Sequence, residues 1–323
     1  MPPKNERLTY YWDKPVSHLA TLNRPAQSPA EKERHTLYAL GLMAITHKYW
    51  NGNKYGTHGQ YPWNAPIDHS TEMYHNEDYR GHNIAAFAVD ADGRIIDFEF
   101  NHNALFNSSA EHAESRLVRR IFQLSQVHDS WHFSQTPSPK SDYTTFADVT
   151  IYTTLESCSQ CSGVMALARV RQIVYLQEDP GMYMIGNILR NLTEATKLEA
   201  PLPIAGNEFD FIYFHRLNEA FDEFPAQLRQ KPFYQPFGNS KKPNAEPSIT
   251  SFLCTGISKA IFNDAEAELA SLTVDKLYHP MHKPTSREGV LISSALTNAE
   301  CLSEIRSFFE YAIQSGRRGT PHR

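Results

Sequence analysis

Thr153-Thr154-Leu155-Glu156-Ser157-Cys158-Ser159-Gln160-Cys161-Ser162-Gly163-Val164-Met165 is the stretch on which the fold turns. It follows a β-branched and apolar run, so residues 147–155 read as a strand. Ser157 and Gln160 form an S-x-x-Q capping-box pattern, which predicts a helix over 158–169. Both cysteines then sit in the first turn, where the positive end of the helix dipole stabilises thiolate. A strand feeding directly into a helix is half of a βαβ unit, so the chain around it should be α/β.

Upstream, residues 83–89 and 94–101 flank the turn Asp92-Gly93 and read as a hairpin. The Asp90-x-Asp92-Gly93 run is not a calcium loop, because Asn101 stands at the twelfth position where a glutamate is required. Residues 110–124 form an amphipathic helix with Ala113, Leu117, Val118, Ile121 and Leu124 inside. A first helix is expected over 29–50, with Ser28 as its N-cap. Downstream come a strand over 172–177, a helix over 182–198 and a strand over 209–215. Strands alternating with helices beyond the hairpin predict parallel pairing of the fourth and fifth strands through right-handed crossovers. The resulting layout is an N-terminal arm over 1–28, a domain over 29–224 with insertions near 51–81 and 127–146, a linker over 225–248, and a helical C-terminal extension over 249–323. Helical patterns over 249–271 and 297–314 need a partner for their apolar faces, either the core or a dimer interface.

The chain has 323 residues, 41% hydrophobic and 21% charged, with a formal net charge of −5. No apolar run is long enough to span a bilayer, and the N-terminal residues lack the apolar segment of a secretory signal. Four cysteines without a spaced framework argue for a reducing, cytoplasmic setting. The acidic balance gives no global basic excess for holding long nucleic acid.

His112-Ala113-Glu114 opens the second helix, and Cys158 and Cys161 open the third. One imidazole and two thiolates suit a zinc ion (Zn2+), and three protein ligands leave the fourth tetrahedral position open. A carboxylate two residues from the imidazole is placed to move protons for a metal-held water. A rival H-x-E at His75-Asn76-Glu77 lies in an insertion without helical periodicity, so His112 is preferred. Cys254 and Cys301 lie in apolar surroundings and read as buried small hydrophobes.

H-x-E followed by C-x-x-C resembles the zinc-dependent cytidine deaminase-like superfamily. The stretch 153–165 resembles the T-L-E-P-C-x-x-C-x-G-A-M of its tRNA adenosine and guanine deaminase branch, with Ser157 in place of the proline. The resemblance covers roughly residues 30–220. It implies a three-layer α/β/α fold around a five-stranded mixed sheet. It implies zinc held by His112, Cys158 and Cys161, with Glu114 as the catalytic proton carrier. The backbones of Ala113 and Cys158 would position the water and the adduct. Asn101, eleven residues before His112, would hold the base, with Asn103 as its substitute. Glu156 and Ser157 are further substrate-side candidates.

Three readings of function follow. The first is hydrolytic deamination of adenine or cytosine in nucleic acid, of the RNA-editing kind, on single-stranded RNA or DNA. Trp50, Tyr55, Tyr61, Trp63, Trp131 and Phe133 could stack unpaired bases there. The second is deamination of a free nucleobase, nucleoside or nucleotide. The third is a non-catalytic partner subunit, against which Glu114 speaks. A homodimer without membrane contact is expected.

Overall fold

In the computed structural model, residues 27–50, 80–131, 146–182, 201–230, 233–237, 240–244, 248–286 and 289–315 are described. The first helix, α1 (Pro29–Lys48), begins with the expected capping box. Ser28 accepts from the Glu31 amide, and Glu31 reaches back to the Ser28 amide. Strands β1 (Ala85–Val89) and β2 (Ile95–Phe100) form the hairpin, and its turn residue Gly93 has φ of +89°. That left-handed value strains any side chain, which is why the turn carries glycine.

Helix α2 (Ala113–Trp131), β3 (Thr150–Thr153), α3 (Ser159–Leu167), β4 (Gln172–Tyr175) and β5 (Leu202–Ala205) complete the α/β unit. The sheet order is β2-β1-β3-β4-β5. β1 is antiparallel to both β2 and β3, whereas β3–β4 and β4–β5 are parallel. Helix α4 (Ile212–Gln230) and a two-stranded hairpin, β6 (Phe233–Phe237) with β7 (Ser240–Asn244), follow. Helices α5 (Ile249–Phe252), α6 (Gly256–Ser271) and α7 (Asn298–Ser315) close the chain.

Helix α1 packs on β1 and β3 and is covered from outside by α6 and α7. It is therefore buried nearly all round from Arg34 to Thr46, not along one stripe. The apolar faces of the C-terminal helices find their partner here, in the core of the same chain. Helix α2 covers the opposite face of the sheet on β1 and β2 and packs beside α3. Period-2 alternation decides which side chains meet which layer. Phe98 of β2 meets Phe308 of α7, while Asp97 and Glu99 reach Arg120 and Arg116 of α2. In β3, Tyr152 meets His35 and Tyr38 of α1, while Thr153 points to the α2 side.

The fifth strand lies elsewhere than the alternation of aromatics suggests. Residues 209–215 are not a strand: Phe209 ends a 3-10 turn (Gly206–Phe209) and Ile212 starts α4. Phe209, Phe211, Tyr213 and Phe214 are all buried. The strand is Leu202–Ala205, which contains Pro203. Proline is tolerated because β5 is the last strand of the sheet. The parallel relation of the fourth and fifth strands holds. The helix expected over 182–198 falls mostly outside the described residues, as do His75, Tyr55, Tyr61, Trp63 and Phe133. Among the described residues no helix is long and apolar enough to cross a membrane.

Candidate metal centre

His112 lies one residue before α2, and its carbonyl accepts from the Arg116 amide, so it closes the first turn of that helix. Cys158 is the N-cap of α3 with extended backbone, and Cys161 sits inside the first turn. The predicted Ser157–Gln160 capping box does not form. The N-cap is Cys158 and has no side-chain cap bond. Gln160 instead donates to the Ala110 carbonyl at 2.9 Å and to Ser115 Oγ at 3.3 Å, tying α3 to the entrance of α2.

These two helix starts bring three donors together. His112 Nδ1 lies 3.3 Å from Cys158 Sγ and 3.6 Å from Cys161 Sγ. Among the described residues, His112, Cys158 and Cys161 form a group whose ligand atoms all lie within 4.8 Å of one another. Zinc bonds of roughly 2.05 Å to nitrogen and 2.3 Å to sulfur at a tetrahedral angle separate the donors by about 3.6 Å. The donor set and its spacing therefore fit zinc. The hydrogen bond with Cys161, helped by His112, draws the Cys158 thiol below the ordinary thiol range against its burial, which favours its thiolate form. Ser115 Oγ lies 3.3 Å from Cys161 Sγ and supports the second sulfur.

Glu114 is buried in the first turn of α2. Its Oε1 accepts from Ser157 Oγ at 3.0 Å and from Thr153 Oγ1 at 3.2 Å. Its Oε2 lies 3.4 Å from Cys161 Sγ. One oxygen is thus anchored, and the other faces the metal donors. Burial pushes this carboxyl above the usual carboxylate range, and the Cys158 sulfur adds to the effect. A backbone hydrogen bond, His112 and Ser157 pull it partly back.

Ala113 is fully buried beside Glu114. Asn101 is buried at the end of β2, and its Oδ1 accepts from the amides of His82 and Asn103, each at 3.1 Å. A Cβ at Gly81 would collide with the Asn101 carbonyl and Oδ1, so only glycine permits this approach. Asn103 Nδ2 lies 3.0 Å from His82 Nε2, and Asn103 Oδ1 is buried without a hydrogen-bond partner among the described residues. Glu156 turns away: its Oε2 accepts from the Asp179 amide at 3.1 Å.

Two polar residues escape a sequence reading. Thr153 supports Glu114, and only the alternation within β3 hints at its direction. Asp179 follows β4, and burial raises its carboxyl to about 6. Of the aromatics suggested for base stacking, Trp50 packs edge-on against Phe262 of α6.

Residues 67–177 match the cytidine and deoxycytidylate deaminase zinc-binding region. Over 110 residues the chain is 26% identical to the tRNA-specific adenosine deaminase of Agrobacterium fabrum (strain C58 / ATCC 33970), covering 34% of this chain. It spans 62% of the length of that relative. Among solved structures, one from work on A-to-I editing by tRNA:A34 deaminases is 24% identical, covering 38% of this chain and 82% of that one, with a TM-score of 0.28. Guanine deaminase of Bacillus subtilis is 25% identical, covering 31% and 54%, with a TM-score of 0.24. The likeness to the cytidine and deoxycytidylate deaminase zinc-binding region is confined to residues 67–177, the segment that holds His112, Glu114, Cys158 and Cys161.

Proposed function

We propose that the chain is a zinc-dependent hydrolytic deaminase of a nucleobase. The observation that carries this reading is the buried Glu114, with one oxygen anchored and the other turned toward the His112, Cys158 and Cys161 donors. His112, Cys158 and Cys161 would hold zinc, which would supply Lewis acidity and lower the pKa of water to about 7. Glu114 Oε2 takes a proton from the attacking water and delivers it to the ring nitrogen. It then assists departure of the exocyclic nitrogen as ammonia. In balance, water and the amidine carbon form a C–O bond, the C–N bond breaks, and a carbonyl and ammonia result. The Ser157 and Thr153 hydroxyls keep Oε1 in place through both transfers.

The substrate we favour is adenine or cytosine in single-stranded RNA or DNA, supported by the likeness to a tRNA-specific adenosine deaminase. A free purine or pyrimidine is the competing substrate, and the net charge of −5 favours it. Asn103, whose Oδ1 is a buried acceptor without a partner among the described residues, is suited to receive an exocyclic amine, beside Asn101. The four free thiols agree with a cytoplasmic setting, and a homodimer completes the reading.

The test is mass spectrometry of nucleosides and bases from RNA, DNA and metabolite pools exposed to the wild-type chain and to Glu114→Gln. A mass gain of about one dalton on one base, absent with Glu114→Gln, is expected, since losing general acid–base catalysis costs about 10²–10⁴-fold. Wild-type protein loaded with zinc that converts nothing in any pool would sink the proposal. Conversion confined to free bases would move the assignment to the small-molecule reading.

A further inference from the structure

The loop over 101–112 joins β2 to α2. It begins with the base-side candidate Asn101 and ends with the metal-side candidate His112. One guanidinium touches the strand that leads into this loop, the middle of the loop and its far end. Arg116 Nε donates to Glu99 Oε2 at 3.3 Å, two residues before Asn101. Its Nη1 donates to Glu111 Oε2 at 2.7 Å, one residue before His112. The ring of Phe106, at the middle of the loop, lies over the guanidinium with its centroid 5.1 Å away. Arg116 and Glu99 are both buried. The Glu111 carbonyl also accepts from the His102 amide, which draws the two loop ends together. Arg119 holds the second Glu111 oxygen at 2.8 Å.

We infer that Arg116 is a positioning residue that clasps the 101–112 loop and sets the distance between the base-binding and the metal-binding ends of the site. The inference rests on the zinc-site reading above. A buried ion pair contributes little net stability compared with apolar packing, so its value here lies in geometry. Only a planar fork can reach Glu99 and Glu111 together, and a lysine ammonium on a flexible stem can satisfy one of them. When either link is lost, the peptide leading into His112 loses a constraint, and the three metal donors lose their common spacing.

Arg120 supplies a control. It is buried on the same helix and pairs with Asp97 of the same strand, but it makes no contact with Glu111. Its approach to Glu99, at 3.8 Å, is the longer of the two arginine contacts there.

The experiment measures zinc affinity by competition with a chromophoric chelator, together with the absorption spectrum of the cobalt(II)-loaded chain. Arg116→Lys and the double variant Arg116→Met/Glu99→Gln are compared with Arg120→Lys. The double variant leaves no buried carboxylate stranded, so it guards against a single variant that fails to fold. The Arg116 variants should bind zinc about 10–100-fold more weakly, the usual effect of losing support behind a ligand, and their cobalt spectra should change. Arg120→Lys should lower thermal stability to a similar degree while keeping wild-type affinity and spectrum. Wild-type zinc affinity in the Arg116 variants, or an equal loss in Arg120→Lys, would overturn the inference. A wild-type chain that takes up no cobalt with sulfur ligation removes the zinc-site reading itself, and the clasp with it.

Discussion

Ser157 Oγ donates a 3.0 Å hydrogen bond to Glu114 Oε1 across 43 residues of sequence. A hydroxyl standing where the resembling branch has proline thus supports Glu114, the proposed proton carrier, and not the helix cap. The Thr153 hydroxyl lies 3.2 Å from the same oxygen and shares its one proton between that oxygen and the Leu155 carbonyl at 3.1 Å. Together they leave Glu114 Oε2 as the oxygen that faces the metal donors.

Removing this donor should slow the chemistry without emptying the metal site. A hydrogen bond to a charged group is worth about 1.5–3 kcal/mol, so Ser157→Ala should lower kcat at least about tenfold. Ser157→Pro should behave alike, since it removes the same hydroxyl. Steady-state kinetics on the base identified by mass spectrometry, with zinc content measured alongside, provides the check. Unchanged kcat in both variants would show that Glu114 needs no support from this side.

Asn103 should act on binding and not on the chemical step. Its Oδ1 is a buried acceptor without a protein partner among the described residues. Leaving the base's amine without a partner costs about 1–3 kcal/mol, so Asn103→Ala should raise KM about tenfold or more at nearly constant kcat. A fall in kcat at unchanged KM would place Asn103 outside the base pocket.

Metal removal should loosen the fold as well as stop the reaction. Cys161 is buried and packs in the main core, so a metal bond from its sulfur would be tied to native packing. Binding at a hundred times Kd stabilises by about 2.7 kcal/mol, which corresponds to a loss of about 4 °C on chelation for a chain of this length. Differential scanning fluorimetry with and without chelator, followed by zinc addition, measures it. A melting temperature indifferent to chelation would contradict the coupling.

Acid should destabilise the chain through a residue remote from the metal. His35 is buried in α1 with its Nδ1 2.8 Å from the Tyr152 hydroxyl. Burial first, then the Arg34 charge, lowers its pKa from 6.5 to about 4. Between those values the unfolded chain binds more protons than the folded one, so stability rises with pH across this window. The His35 contribution is complete above pH 6.5, and about 3 kcal/mol of it is lost by pH 4. Urea unfolding of wild type and His35→Gln from pH 7 to pH 4 tests this. Parallel stability curves for the two proteins would refute it.

Much of the fold can be read along the chain. Ser28 with Glu31 announces α1, and Asp92-Gly93 announces the β1–β2 hairpin. Both are short-range patterns, complete within one turn of structure. The aromatic alternation at 209–215 misleads because burial of Phe209, Phe211 and Tyr213 comes from packing at a helix start. Pro203 hides β5 because a proline is acceptable only on an edge, and edges are properties of the assembled sheet.

By itself the sequence determines the donor types, their place at two helix starts and the parallel run of the later strands, since each depends on residue chemistry and local periodicity. The tertiary structure alone decides which oxygen of Glu114 is anchored by hydroxyls. Thr153 and Ser157 reach it from 39 and 43 residues away, once α2 has settled on the sheet. It also decides that Arg116, one arginine among several on α2, lies between Glu99 and Glu111. Local pattern records how a segment folds, but contacts between segments exist only when burial has brought their faces together.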